Sequence, residues 1–359
     1  MKLFECQNCK QLLYFENTLC ESCQSTLGFD PESSELLALS HAGGDHWHGF
    51  NAPQPHYRFC ANSQYGVCNW LVPADSGDAF CLACQLNRTI PDLSVPHHLN
   101  DWHKLERAKH RLIYALLRLN LPVVSRFKQP DIGLIFDFLA NDGGAFRESA
   151  QVMTGHAQGL ITINVAEADD VERERQRLTM AEPYRTLLGH FRHESGHYYW
   201  EWLARDGEWL AQFRQHFGHE QLDYNQALDR HYTQGPPSDW RDRFISAYAS
   251  THPWEDWAET WTHYLHIIDT LETANAFGMQ IWPRFGNDAS LYTRLDFDPY
   301  EQTRLESLVA AWLPLTYAMN SLSRSMGQHD LYPFVLVPAV LEKMRFVHQS
   351  VRRINTLPD

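Results

Sequence analysis

Apolar positions recur at helical spacing from about residue 100 onward. Leu105, Ala108, Leu112, Ala115 and Leu116 share one side of a helix that Asn100 or Asp101 can cap and that runs through 118. Residues 132–139 read as a strand. Residues 159–165, Gly-Leu-Ile-Thr-Ile-Asn-Val, alternate as a half-buried strand does. The charge run 172–177 predicts a solvated helix face. A helix is expected over about 182–205, with Pro183 in its first turn and Asp206-Gly207 as its stop. Further helices are expected over 239–248, 253–271, 299–322 and 338–354. The pattern is α+β, a mainly helical domain with a small sheet.

The first quarter follows a different rule, because it holds all eight cysteines. Cys6, Cys9, Cys20 and Cys23 spell C-x2-C-x10-C-x2-C. Cys60, Cys68, Cys81 and Cys84 spell C-x7-C-x12-C-x2-C. A C-x2-C knuckle points two thiolates at one ion, and a second pair completes a tetrahedron. Two structural Zn2+ sites are therefore expected. Residues 40–55, rich in Gly, His and Pro, read as a loop between the two modules. The resulting division is 1–35 for a zinc ribbon, 36–96 for a second four-cysteine module and 97–359 for the remainder.

Charge narrows the class of partner. The net charge is −14, and through Val95 four basic side chains face ten acidic ones. Phosphate binding needs a basic surface, so no nucleic acid is expected. No apolar run approaches the ~20 residues of a membrane span, and the first residues lack the apolar core of a signal peptide. These features predict a cytoplasmic protein that contacts no membrane, with cysteines serving as metal ligands rather than disulfides.

Within the expected helix 182–205 stands His193-Glu194-Ser195-Gly196-His197, the pattern H-E-x-x-H. Imidazoles at i and i+4 can reach one Zn2+, and the Glu beside them can act on a water that the ion holds. The chain carries 20 histidines, so the surroundings must support the pattern. A third ligand is needed. The sixth position after His197 is Leu203, where a metzincin would have His. Glu220 has about the right separation for a thermolysin-type ligand but lacks that motif's setting. The better stretch is Tyr248-Ala249-Ser250-Thr251-His252-Pro253-Trp254-Glu255-Asp256-Trp257-Ala258-Glu259. Pro253 opens a helix, and Glu255 and Glu259 share a face at i and i+4. One can bind the ion while the other hydrogen-bonds a ligand histidine.

The Tyr248 to Glu259 stretch resembles the anthrax lethal factor class of gluzincins, in which a tyrosine precedes the zinc-binding Glu by seven positions and a second Glu follows four later. The resemblance implies that His193, His197 and Glu255 hold a catalytic Zn2+. Glu194 would be the general base, Glu259 would brace a ligand histidine, and Tyr248 would stabilise the oxyanion. A wider resemblance rests on the N-terminal ribbon, the stretch from Glu182 to Trp200, the Glu255-Asp256-Trp257-Ala258-Glu259 helix and the segment from Asn320 to Phe334. Together they are similar to bacterial zinc-binding metallopeptidases that carry a zinc-ribbon domain. The implied activity is hydrolysis of peptide bonds in a peptide or protein substrate, and strand 159–165 is expected either as the edge for pairing with it or as plain core. Tyr332 and Arg324 could line a substrate pocket. His190 is expected beside the site or in the core, and His97, His98 and His103 at the surface or as caps. Two alternatives stand against this reading: a ribbon-bearing adaptor with a silent site, and a DNA-associated zinc protease.

Overall fold

The computed structural model describes residues 2–141, 154–179, 185–285 and 288–354. The chain divides into two compact units. The first holds residues 1–118 and 123–176, and the second holds 119–122 and 177–359.

In the first unit, β1 (Phe4–Glu5) and β2 (Leu12–Leu13) form a short hairpin around the first cysteine knuckle. Strands β3 (Thr26–Asp30), β4 (Glu35–Gly43), β5 (His46–Gly49), β6 (Ala52–Phe59) and β7 (Leu71–Pro73) then make an antiparallel meander in chain order. This corrects the reading of 40–55 as a loop. Most of that segment is strand, and the turn residues mark tight reversals. Gly43 and Gly44 take φ of 103° and 62°, and Asn51 takes 58°, values that Gly and Asn tolerate best. Gly28 is needed for packing. A Cβ there would lie 2.4 Å from Leu71 Cδ2.

The cysteine module is buttressed by aromatic rings. Phe15 lies 4.8 Å from Phe29 and 5.3 Å from Tyr114 between centroids, and Phe29 lies 4.7 Å from Trp70. Tyr114 comes from α1 (His98–Arg118), which follows β8 (Asn87–Thr89). The chain then enters β9 (Ile135–Leu139), parallel to β8. Strands β10 (Gly155–Ala157) and β11 (Leu160–Asn164) complete a sheet of order β10-β11-β9-β8. The expected strand 159–165 is thus present but is not an edge. Gln158 and Gly159, both at positive φ, fold β10 back onto it. The charge run lies on α2 (Asp170–Thr179), where Arg173 pairs with Asp170 and Arg175 with Glu172.

The second unit is helical. It contains α3 (Leu187–Leu203), α4 (Gly207–Phe217), α5 (Tyr224–Gln234), the single turn α6 (Trp240–Arg243), α7 (Pro253–Ala276), α8 (Leu305–Ser325) and α9 (Pro338–Ile354). A two-stranded ribbon pairs β12 (Gln280–Ile281) with β13 (Thr293–Arg294). Four expectations need correction. Helix α3 starts at Leu187, where the Thr186 hydroxyl accepts from Gly189 N, and Pro183 lies outside the described residues. Asp206 does not merely follow α3. Its carboxylate caps α4 by accepting from Glu208 N and Trp209 N. The expected helix 239–248 is only the turn α6, followed by a 3-10 turn at Tyr248–Ser250. Helix α8 begins at Leu305, later than the expected 299. No helix among the described residues is long and apolar enough to cross a membrane.

Candidate metal centres and active site

Helices α3 and α7 pack against each other, and Gly196 sets how close they come. A Cβ on it would lie 3.1 Å from Ala258 Cα and from two Trp261 ring atoms. Trp257 Nε1 donates to the Gly196 carbonyl at 2.8 Å, and Trp261 Nε1 donates to Ser195 Oγ at 3.1 Å. The two middle residues of H-E-x-x-H thus fix one helix on the other. Further anchors are Arg192 to Asp269 and Lys343 of α9 to Asp256, the latter at 2.5 Å. Helix α7 is started by His252, whose ring accepts from Trp254 N, and by Pro253 in its first turn.

This packing brings His193, His197 and Glu255 into one cluster. His193 Nε2 lies 2.9 Å from Glu255 Oε2 and 3.2 Å from His197 Nε2, and His197 Nε2 is 3.7 Å from Glu255 Oε1. On the other side of the His193 ring, Nδ1 faces Glu259 Oε1 at 2.9 Å. Glu259 Oε2 accepts from Ser246 Oγ at 2.7 Å. The Glu259 carboxylate thereby claims the Nδ1 proton, and Nε2 faces two other lone-pair donors. Either a proton on Nε2, favoured by the Glu255 and Glu259 carboxylates that raise the imidazole well above its usual range against its burial, or a metal ion among the donors satisfies that arrangement. Tetrahedral Zn2+ with bonds of about 2.0–2.1 Å places its ligand atoms roughly 3.3 Å apart, which the observed separations bracket. The donor set therefore fits zinc.

Charge in the cluster has the sign an ion requires. Burial alone would raise the Glu255 carboxyl, but His197 and His193 hold it well below the usual carboxylate range. Glu259 is likewise held low against its burial, chiefly by the His193 hydrogen bond. Glu194 behaves differently. It is buried, and burial raises its carboxyl above the ordinary range. Tyr248 stands on the 3-10 turn before α7, its ring centroid 6.0 Å from that of His193. Burial, followed by the Glu255 charge, pushes its phenol well up, so it remains a proton donor. The His197 ring stacks on Trp254 at 3.8 Å.

Other candidates lie elsewhere in contact terms. Glu220 is paired with Arg214. Tyr332 is buried, its hydroxyl 2.9 Å from His263 Nδ1, and its backbone is clamped on both sides by the Asn320 amide. Tyr332 is therefore packed in the interior rather than lining a pocket, while Arg324 is exposed beside Asp330. His190 is half-buried and His97 exposed. His98 is buried and bonds the Asp92 carbonyl. Two further residues lie near the cluster: Tyr224, for which the sequence offered no signal, and His231, which is not convincingly spaced for a metal ligand. The Tyr224 hydroxyl of α5 donates to Glu255 Oε1 at 2.7 Å, and His231, two turns on, has its ring centroid 6.0 Å from that of Tyr248. Their spacing of seven was visible, but nothing in the sequence linked α5 to α7.

The cysteines gather as two fours, all of them free thiols. Sγ separations are 3.6 Å for Cys6 and Cys23, 3.5 Å for Cys9 and Cys20, and 3.7 Å for Cys68 and Cys81. Zn–S bonds of about 2.3 Å place sulfurs roughly 3.8 Å apart in a tetrahedron, so both sets fit zinc. Hydrogen bonds within the second set, led by that from Cys60, hold the Cys84 thiol well below its usual range. The second set is wholly buried, and α1 closes it. His110 Nε2 lies 3.6 Å from Cys68 Sγ and 3.9 Å from Cys84 Sγ, and Glu106 adjoins Cys84. Lys109 is fully buried on the same side and pairs with Glu106 at 2.8 Å. Its ammonium offsets the negative charge that thiolates and carboxylate concentrate there. The signal was legible as Glu106, Lys109 and His110 interleaved with apolar positions of α1.

Comparison with known proteins supports zinc binding at the level of the family. A family model described as "Putative zinc-binding metallo-peptidase" matches residues 98–350, and a zinc-ribbon domain model matches residues 3–95. Uncharacterized proteins of Mycobacterium bovis and of two strains of Mycobacterium tuberculosis are each 43% identical over 355 residues, 99% of this chain and 96% of theirs. No solved structure matches. The chain belongs to the zinc-binding metallo-peptidase family and carries the zinc-ribbon domain on its N-terminal side.

Proposed function

We propose that the chain is a gluzincin-type peptidase, with one catalytic and two structural Zn2+. The observation that carries this is the convergence of His193 Nε2, His197 Nε2 and Glu255 on one point, with the buried Glu194 between the two histidines on α3. His193, His197 and Glu255 would hold a Zn2+ that would lower the pKa of a water toward ~7 and polarise a carbonyl.

The residues of the chain do the rest. Glu194 accepts a proton from the attacking water and returns it to the amine nitrogen as the amide C–N bond breaks. Its raised proton affinity suits that role. Glu259 holds His193 Nδ1, which fixes the tautomer and aims Nε2. The Tyr248 hydroxyl donates to the carbonyl oxygen as charge builds there, a contribution worth about 2.7–4 kcal/mol when a comparable donor is removed. The substrate is a peptide or protein, and the acidic surface disfavours nucleic acid and anionic membrane as partners. We place the protein in the cytoplasm, where eight thiols stay reduced for zinc.

The test is metal analysis joined to a substitution. The wild-type protein should carry about three zinc ions and cleave members of a broad peptide library. Glu194→Gln should keep all three ions and its melting temperature but lose about 10²–10⁴-fold in hydrolysis. Two ions and no cleavage by the wild type would instead favour an adaptor with a silent site.

A further inference from the structure

One group beside the cluster has no part in the proposal so far. Tyr224, the first residue of α5, donates its hydroxyl proton to Glu255 Oε1 at 2.7 Å. The other carboxylate oxygen, Oε2, is the one facing His193 Nε2 at 2.9 Å.

The Tyr224 ring is itself fixed. It meets His252 edge-on at 5.4 Å and Trp254 at 6.1 Å between centroids. The His252 ring, 3.0 Å from the Leu222 carbonyl, ties α5 to the start of α7. The Asp223 carboxylate caps α5 by accepting from Gln226 N. Both ends of the tyrosine are thus set by packing before any ligand binds.

We propose that Tyr224 is a positioning residue of this site, fixing Glu255 so that a single oxygen faces the ion. A carboxylate with one oxygen engaged by a phenol offers the other to the metal, which leaves room for water and substrate. The inference needs only that the cluster binds zinc, and its hydrolysis readout rests on the peptidase reading.

Tyr224→Phe removes the hydroxyl and keeps the ring. It is compared with Tyr224→Leu, which removes both, and with Tyr232→Phe, an exposed tyrosine on the same helix, as the control. The first readout is zinc affinity of the full chain by chelator competition, with both cysteine sites loaded. Tyr224→Phe should weaken the catalytic ion about tenfold, and Tyr232→Phe should leave it unchanged. The second readout is hydrolysis of a peptide that the wild type cleaves. Tyr224→Phe should lower kcat about tenfold with KM within twofold. If Tyr224→Phe matches the wild type in both readouts and only Tyr224→Leu is impaired, the ring merely packs and the proposal fails. If the wild type cleaves nothing yet Tyr224→Phe still loses zinc, the peptidase reading falls while the positioning of Glu255 by Tyr224 stands.

Discussion

His348 shows how a buried side chain away from the metal ties stability to pH. Its Nδ1 lies 2.9 Å from the Tyr264 hydroxyl and 3.1 Å from an Arg352 nitrogen, so that nitrogen accepts and Nε2 carries the proton. Burial, and then the Arg352 guanidinium, push the imidazole down from 6.5 to about 4. A depressed folded pKa means that the unfolded chain binds the proton first as pH falls. The contribution is therefore complete above about pH 6.5 and is lost progressively toward pH 4. His348→Gln should flatten that part of the stability curve by up to about 3 kcal/mol, read by urea denaturation at pH 7 and pH 4.5. Parallel curves for variant and wild type would refute the assignment. At this scale the sequence revealed ligand types well, because H-E-x-x-H and C-x2-C are local patterns. Tyr224 escaped notice because it acts through a residue far away in the chain, and Glu106 and His110 because their polar positions on α1 gain meaning only beside cysteines over twenty residues away.

Elements that carry their own signals were legible. Helix 338–354 has those bounds in the structure, and the helix from Pro253 continues to Ala276. Helices α4 and α5 were overlooked, although Asp206 and Asp223 cap them and Gly218 and Gly235 follow their last turns. Segment 40–55 misled because it holds only the end of β4, the short β5 and the start of β6, which present histidines rather than apolar alternation, so its turn residues dominated the pattern. The packing of α3 on α7 was invisible for another reason. Gly196 is simply an x in the motif until Ala258 and Trp261 are seen 3.1 Å from where its Cβ would stand. Gly196→Val should cost about 1–3 kcal/mol by overpacking and should also weaken the catalytic ion, because the two helices carry its ligands. Chemical denaturation and chelator competition would measure both effects. A variant as stable as the wild type would show that the interface has slack.

On the proposed reading, metal acts at two levels in the molecule. The four-cysteine sites lie among short strands and loops of the first unit, and binding of this kind is worth roughly 10–16 kcal/mol in small zinc domains. The three-ligand site lies between helices that bury their own apolar faces. A mild chelator should therefore remove one equivalent of zinc with little change in melting temperature. A strong chelator, under reducing conditions, should remove the other two and abolish cooperative melting of the first unit. Zinc release followed alongside calorimetry checks this, and retention of cooperative melting after full release would show the cysteine sites to be dispensable. By itself the sequence determined which atoms are available to metal, because spacing along a knuckle or a helix turn fixes what neighbouring side chains can reach together. It also determined the mixed α+β composition and the acidic balance. Only the tertiary structure decided that Glu255 faces the two histidines while Glu259 grips the back of one ring, that α1 seals the second cysteine set, and that strand 160–164 is interior to its sheet. These depend on contacts between residues tens of positions apart, where distance is set by packing and not by spacing in the chain.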